Sequence, residues 1–539
     1  MGNLKHYEDV IQQIPVITTG LLTESGLKEQ NEKIAEFKNI MAASKYIKVP
    51  LVGTFSAGKS SLLNVFLNKP GLLAIDNLPQ TAIAYELYYD TNERVEQYRD
   101  DKKIAEKPLA EMESLSVEPG DVAYVYVNSD VVKQLNDRGI VVVDMPGIGS
   151  GFEKHEQAVM HYIKEGTSFI LIVDVEQGTL RTSTLNFLEE LSKYNFKTAV
   201  LIAKTDKKPA EEVAQIKEEV EYTVKKVCGN DVFVSTVCAA KGDAKGLEDY
   251  LNSLDADALM EKRVGMFLPP VIAAIVSQLK TRVEIRTQDI TDVDSKIAEI
   301  DKAISNVKID DVIDNSNADT PEKSTNDIME RIREKLIEKS EDIARMIVEK
   351  ESTDDIKAVI LGIVRSELYL SIKDETAQYS EALKGPVDEA LAMAFSNVDV
   401  DTDIEFGEVF DVVMEIVSVF FKVSGPFALL LSILIDNLGP ILNWLFGKDT
   451  AELIMEAKDK FINQCASKIV DDMRPHVLNA VTTYQRNIRE SMEKEIRNKA
   501  ESMKAALLEK KSDAQKSKDE VTKEISNLKE AISKLEELK

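Results

Sequence analysis

Hydrophobic positions follow two regimes along the chain. In the first half they form short continuous runs: "YIKVPLV" from Tyr46, "GIVVVD" from Gly139, "FILIVDV" from Phe169, "TAVLIA" from Thr198 and "VFVSTVC" from Val232. Runs that are continuous rather than alternating predict strands buried on both faces of a parallel sheet, and the helix-like stretches between them predict a βαβ domain. Pro50 sits inside the first run, although proline is normally confined to sheet edges or irregular points. The sequence offers no account of it.

From about Pro270 the period changes. Ile290, Val293, Ile297, Ile300, Ile304 and Val307 follow alternating steps of three and four, the seam of a helix packed on a helix, and Val521, Ile525, Leu528, Ile532 and Leu535 repeat it. Between His476 and Lys539 there is neither Gly nor Pro, so one unbroken helix there could reach on the order of 95 Å at 1.5 Å per residue. Near the N-terminus, Leu27, Ile34, Phe37 and Met41 share one side of a helix that could join the same bundle. The stretch "IDDVIDNSNADTPEKS" reads as an exposed loop.

Residues 409–447 interrupt the seams. They are apolar around most of the helical circumference, with Asp411, Glu415, Ser418 and Lys422 on one narrow stripe and Ser432, Asp436 and Asn443 on another. Such helices are buried in a core or immersed in lipid. Pro426 and Pro440 leave no stretch of about 20 residues free of both charge and proline, which predicts a hairpin dipping into a membrane rather than spanning it. Its contact residues would be Phe420, Phe421, Phe427, Leu430, Leu431, Ile433, Leu434 and Trp444. A buried hairpin at the bundle tip, or an oligomer contact, is the alternative.

A chain of 539 residues exceeds a single core and should divide into domains. Its net charge of −27 argues against general nucleic-acid binding, which needs Lys and Arg to displace counterions. Cys228, Cys238 and Cys465 have no metal-ligand spacing and read as ordinary core residues in a reducing compartment. "MGNLKHYEDV" lacks the order of a signal peptide.

Candidate chemistry begins where the first run ends. "GTFSAGKSSLLN" places Gly53, Ser56, Ala57, Gly58, Lys59, Ser60 and Ser61 between a strand and a helix. In such a loop backbone N–H groups wrap a phosphate, a lysine neutralises it, and the helix directs its positive end there. "DMPG" then supplies Asp144, an aspartate positioned for a magnesium ion, and Gly147, whose N–H could sense a γ-phosphate. "AKTD" ends another strand in Lys204 and Asp206, and the carboxylate can accept two hydrogen bonds from guanine that adenine does not offer. Ala239, Ala240 and Lys241 follow the last strand and would pack on the base. Each has a bland reading alone; their order carries the case.

These motifs, with "LPQTA" around Thr81 and the long stretch from Thr81 to Asp144, resemble the dynamin superfamily of large GTPases, bacterial dynamin-like proteins and the LeoA type among them. The motif resemblance covers about residues 46–250. It implies an α/β P-loop GTPase domain with a mostly parallel sheet and helices on both faces, plus an elongated α-helical stalk tipped by the apolar hairpin. By position, Lys59 and Ser56 would stabilise the transferred phosphate, Ser60 and Thr81 would join Asp144 at Mg²⁺, Gly147 would sense the γ-phosphate, and Asp206 would read guanine. The implied division is 1–45 joining the neck and stalk bundle, 46–255 GTPase, 256–407 neck and stalk, 408–447 membrane-binding hairpin and 448–539 returning helices.

Two departures qualify the match. Phe55 stands where eukaryotic dynamins carry a water-orienting glutamine, so catalysis would rest on Ser56, Lys59, Thr81 and Gly147 and the basal rate should be slow. Ala203 replaces the Asn or Thr that ties the base-reading loop to the phosphate loop. The expectation is a cytoplasmic, peripherally membrane-associated GTPase using GTP and Mg²⁺, associating with itself through GTPase-domain dimers and higher oligomers, with lipid through 409–447, with related dynamin-like proteins, and with no nucleic acid. A nucleotide-gated scaffold whose hairpin binds a protein is the second reading. A coiled-coil ATPase is the third, and no "LSGGQ"-like signature supports it.

Overall fold

The computed structural model describes residues 2–53, 57–73, 83–99, 102–118, 120–146, 158–159, 161–163, 168–194, 196–229, 232–288, 292–306, 319–394 and 450–538. Phe55, Ser56, Thr81, Gly147, Ile290, Val307 and the whole hairpin 409–447, including Phe420, Phe421, Phe427, Leu430, Leu431, Ile433, Leu434 and Trp444, lie outside the described residues.

Among the described residues nine strands form one sheet: β1 (Ile47–Gly53), β2 (Ala84–Tyr89), β3 (Arg94–Arg99), β4 (Lys102–Pro108), β5 (Val122–Val127), β6 (Ile140–Asp144), β7 (Ser168–Asp174), β8 (Lys197–Ala203) and β9 (Phe233–Thr236). Their order is β4-β3-β5-β2-β6-β1-β7-β8-β9. The five apolar runs supply the parallel half, β6-β1-β7-β8-β9. The stretch between Thr81 and Asp144 adds β2, antiparallel to β6, and then β5, β3 and β4. Among them β5 alternates as one-face-buried strands do: Ala123, Val125 and Val127 are buried, whereas Tyr124 and Tyr126 are half-buried. The edge strand β4 carries Lys102, Lys103, Lys107 and Pro108, which discourage further strand pairing.

The sheet also explains Pro50. Ile47 N–H donates to Gly139 O at 2.8 Å, on the β6 side, so odd positions of β1 direct their amides to β6 and even positions to β7. The β7 ladder runs only from Leu51 to Gly53. The nitrogen of Pro50 therefore faces β7 at the edge of that pairing, where a donor is not needed.

Helices cover both sheet faces. On one, Val141, Val143, Phe169 and Leu171 continue into Leu188 and Leu191 of α5 (Thr182–Lys193), after α1 (Gly2–Ile17), α2 (Glu24–Ala43), α3 (Lys59–Phe66) and α4 (Asp130–Asp137) in chain order. The same core runs on through Ile360, Val364 and Leu368 of a long helix, Thr353–Ala394, to Ile332 and Val481. Sheet and helical bundle thus share one apolar interior. On the other face, α1, α2 and Leu528 and Leu535 from near the C-terminus pack over Leu51, Ile170 and Ile172. Ile34, Phe37 and Met41 are buried there, while Leu27 is 48% exposed.

The remaining helices are α6 (Ala210–Cys228), α7 (Lys245–Ser253), α8 (Ala256–Val264), α9 (Leu268–Thr287), α10 (Val293–Asn306), α11 (Pro321–Glu338), α12 (Ser340–Val348), α13 (Thr353–Ala394), α14 (Thr450–Lys460), α15 (Ser467–Asp513) and α16 (Lys518–Glu536). A π turn, Phe461–Ala466, joins α14 to α15. The unbroken helix expected from His476 to Lys539 is in fact two. It stops at Asp513 because Ser517 and Glu520 form a reciprocal capping box that starts α16 afresh. Arg286 then clasps both pieces, reaching Asp513 Oδ1 at 2.7 Å and Glu524 Oε2 at 2.6 Å. Of the loop expected over 309–324, residues 309–318 lie outside the described residues, and its last four are helical, since the Thr320 hydroxyl caps α11 and Ser324 is buried inside it.

No helix among the described residues is long and apolar enough to cross a membrane.

Candidate nucleotide site

The loop between β1 and α3 is shaped by two glycines. A Cβ on Gly53 would lie 2.5 Å from Ile172 O of β7, a backbone atom that cannot yield, so only glycine lets β1 end there. Gly58 has φ +94° and begins α3 in a conformation that L side chains rarely adopt. The turn delivers Lys59 and Ser60 to the first turn of α3, at the parallel strands' C-terminal end, where open α/β sheets bind ligands.

Lys59 is 5% exposed, and its Nζ donates to Gly53 O at 3.0 Å across the loop. Burial lowers its pKa, an effect that the Asp144 carboxylate partly offsets. Asp144 ends β6, is 3% exposed, and accepts from Ser60 Oγ at 2.7 Å through Oδ2. Its other oxygen, Oδ1, is buried with no hydrogen-bond partner among the described residues. Burial raises its pKa, against the pull of Lys59 and Ser60. An orphaned carboxylate oxygen beside a hydroxyl is a pair of hard donors, the set that suits Mg²⁺. The residues present fit that ion.

The base-reading side is built at the ends of β8 and β9. Lys204 takes the left-handed conformation, φ 58°, and pairs with Asp174 Oδ2 at 2.7 Å. Asp174 closes β7 and stands in register with Ala203. That ion pair anchors the loop where Ala203 provides no side-chain hydrogen bond. Asp206 is exposed, and the Cys238 thiol donates to its Oδ1 at 3.2 Å. This contact, ahead of Asp206's own backbone N–H and the lysines Lys241 and Lys207, holds its carboxyl below the ordinary value. Ala239, Ala240 and Lys241 form a 3₁₀ turn that packs against α3, bringing base-side and phosphate-side elements together.

The structure therefore gathers Gly53, Ala57, Gly58, Lys59, Ser60, Ser61 and Asp144 at one end of the sheet, with Lys204, Asp206 and Ala239 to Lys241 at the adjoining strand ends. Two residues escaped the sequence reading. Asp174 closes the apolar run "FILIVDV" one strand from Lys204, and that position was its signal. Cys238 is not the ordinary core residue expected, because its buried thiol is spent on Asp206.

Residues 49–205 match the model of the Dynamin family. An uncharacterized protein in the xynA 3' region of Caldicellulosiruptor sp. (strain Rt8B.4) is 23% identical over 230 residues, covering 40% of this chain and 56% of that protein. The chain thus spans a little over half of this curated relative. Among solved structures, a member of an oligomerised bacterial dynamin pair described as sensing and tethering membranes over long range is 14% identical, with 98% of each chain covered and a TM-score of 0.33. Era of Aquifex aeolicus bound to GDP and aluminium fluoride is 18% identical over 39% of this chain and 57% of its own, with a TM-score of 0.24. The similarity to the Dynamin family thus lies in residues 49–205, the part of the chain that holds the glycine-bounded turn, Asp144 and Lys204.

Proposed function

We propose that this chain is a dynamin-like GTPase that binds GTP with Mg²⁺ and hydrolyses it to GDP and phosphate. The observation that carries the reading is the set of buried Lys59 and Asp144 with half-buried Ser60, one carboxylate oxygen left over, at a glycine-bounded strand-to-helix turn. Both ionisable members are held away from their charged forms by burial. A triphosphate would place its negative charge against Lys59, and Ser60 and Asp144 would hold the metal. Bound there, Mg²⁺ would act as a Lewis acid on the β- and γ-phosphate oxygens.

In the proposed reaction water attacks the γ-phosphorus, the bond to the β–γ bridging oxygen breaks, and GDP leaves with that electron pair. Lys59 and the N–H groups opening α3 neutralise the charge on the phosphates. Asp206 would fix the guanine, with Lys204 held by Asp174 and Asp206 held by Cys238. Ser56, Thr81 and Gly147 would complete the phosphate side.

The division into GTPase domain, helical stalk and membrane-binding hairpin, and a self-association that completes the site, belong to the same proposal. With Phe55 in place of a water-orienting glutamine, a second GTPase domain would order the site. Phosphate release from GTP should therefore rise per molecule as protein concentration increases. A turnover number flat across a hundredfold range, with and without lipid, removes self-association from the mechanism.

A further inference from the structure

We propose that the helical bundle holds a site for a monovalent alkali cation, Na⁺ or K⁺, where Glu375 of α13 meets Tyr484 and Gln485 of α15 beside Ser324 of α11. The site is separate from the nucleotide site and does not rest on the reading given to it. Glu375 is 4% exposed, and its surroundings are as closed: Ser324, Tyr484 and Gln485 are buried, as is Ser371, one turn earlier on α13.

Three side-chain atoms are left over here. Gln485 spends its Nε2 on Asp319 O at 3.2 Å and Ser324 Oγ at 3.4 Å, while its Oε1 has no hydrogen-bond partner among the described residues. The Tyr484 hydroxyl lies beside Gln485 and Ser324 without the geometry of a hydrogen bond to either, and Ser371 Oγ is likewise unpaired among the described residues. Tyr379, one turn after Glu375, closes the stripe: its ring meets that of Tyr484 edge-on at 6.5 Å, and its hydroxyl accepts from Arg489 Nε at 3.1 Å. Buried polar atoms are nearly always paired, so orphans gathered around one carboxylate mark a place where something polar sits.

Charge decides what that is. Water would pair with the hydroxyls and the amide oxygen, but it would leave Glu375 an uncompensated buried charge. Elsewhere the protein gives such a carboxylate a cation: Lys48 for Glu86, Arg365 for Glu190 and Arg99 for Asp121. No Lys or Arg among the described residues pairs with Glu375, and Arg331, which acts on it from nearby, is engaged with Asp374 at 3.4 Å. Burial raises the pKa of Glu375, against the Ser324 hydroxyl and Arg331 and with the help of Asp319 and Asp327. The donors are all oxygens, which argues against soft metals. One carboxylate balances one positive charge, and neutral oxygens can replace the hydration shell of a monovalent ion. Ca²⁺ and Mg²⁺ favour sites richer in carboxylate, and no cluster of three or more His, Cys, Asp or Glu suited to a metal occurs among the described residues. Bound there, the cation would tie α11, α13 and α15 together.

The test is thermal unfolding of the full, nucleotide-free chain in NaCl, KCl and choline chloride at equal ionic strength, so that screening of the net charge of −27 is the same in each. The midpoint should rise saturably, by about 3–5 °C, in NaCl or KCl over choline chloride. Glu375→Gln should abolish that difference and, in choline chloride, unfold at a higher temperature than the unsubstituted chain, because an uncompensated buried charge is gone. Tyr484→Phe, which keeps the carboxylate and the ring packing, should move half-saturation to about tenfold higher cation concentration. Equal midpoints in the three salts for the unsubstituted chain, or a cation-specific rise that persists in Glu375→Gln, would overturn the proposal.

Discussion

Ser60 Oγ lies 2.7 Å from Asp144 Oδ2, and this contact satisfies only half of a buried carboxylate. The site is therefore strained towards its ligand: burial outweighs the attraction of Lys59 for Asp144, and Asp144 is easier to protonate than an ordinary aspartate. Asp144→Asn should stabilise the nucleotide-free protein by about 1 kcal/mol, since an unsatisfied buried acceptor costs about 1–3 kcal/mol. The same change should lower Mg²⁺-dependent GTP affinity at least about tenfold, because hydrogen bonds and ligation involving a charge are the strong ones. Thermal unfolding with and without Mg²⁺ and GTP reads both effects. Destabilisation of the nucleotide-free variant would contradict the assignment.

A pH dependence follows from the same residue. Its folded pKa is raised above 3.8, so the stability contributed by the neutral carboxyl is present below 3.8 and lost as pH rises through the folded value. Metal-nucleotide binding should run the opposite way, strengthening with pH across that window as the carboxylate forms. Calorimetric titrations at a series of pH values should show this slope in the unsubstituted protein and lose it in Asp144→Asn.

Asp206 should decide the base. Asp206→Asn is expected to shift preference from guanine towards xanthine nucleotides, whose extra carbonyl accepts where guanine donates. Cys238→Ser, which keeps a donor beside Asp206, should retain the guanine preference. Competition binding with GTP and xanthosine triphosphate checks both. An unchanged preference in Asp206→Asn removes that residue from its role.

The join between sheet and bundle is testable through one buried ion pair. Arg365 of α13 grips Glu190 of α5 through both Nε and Nη2, the second at 2.7 Å from Oε2, with the two side chains 1% and 2% exposed. Tyr194 OH adds a bond to the same carboxylate at 3.1 Å. Arg365→Met alone should cost about 3–5 kcal/mol in urea unfolding, because it leaves a buried charge unpaired. Adding Glu190→Leu should recover most of that loss. Two losses that simply add would mean the pair is not coupled.

How much of this was legible beforehand depended on what carries each feature. The parallel half of the sheet was readable because burial on both faces leaves continuous apolar runs, and the phosphate loop because Gly53, Gly58 and Lys59 are fixed by backbone geometry. The Ser517 and Glu520 break in the last helix was present in the sequence as a capping pattern, but the absence of Gly and Pro outweighed it. Asp174 showed in the sequence only as the end of an apolar run, and the role of Cys238 was not legible. Their roles depend on which strand lies beside which, and strand order is a tertiary fact that local pattern does not encode. Pro50 was the converse case, an anomaly that strand register resolved.

The hairpin 409–447 remains an argument from sequence. Upstream acidic residues from Asp399 to Glu415 oppose anionic lipid, each by on the order of 1 kcal/mol before screening. Phe420, Phe421, Phe427, Leu430 and Ile433 contribute roughly 1.5–3 kcal/mol each when fully buried. Liposome flotation should therefore persist at high salt, be no stronger on acidic than on neutral vesicles, and disappear when Leu430 and Ile433 become Asp. Binding that needs acidic lipid and is stripped by salt would return the hairpin to the core.

Lys59 stands at the centre of the account, buried, depressed in pKa and directed across the phosphate loop to Gly53. The most direct measurement is a calorimetric titration of the full chain with GTP in the presence of Mg²⁺, repeated with ATP and with Lys59→Ala. The account predicts saturable binding of GTP, much weaker binding of ATP, and none measurable for GTP with Lys59→Ala. Undiminished GTP binding by Lys59→Ala, or equal binding of ATP and GTP by the unsubstituted chain, would contradict it.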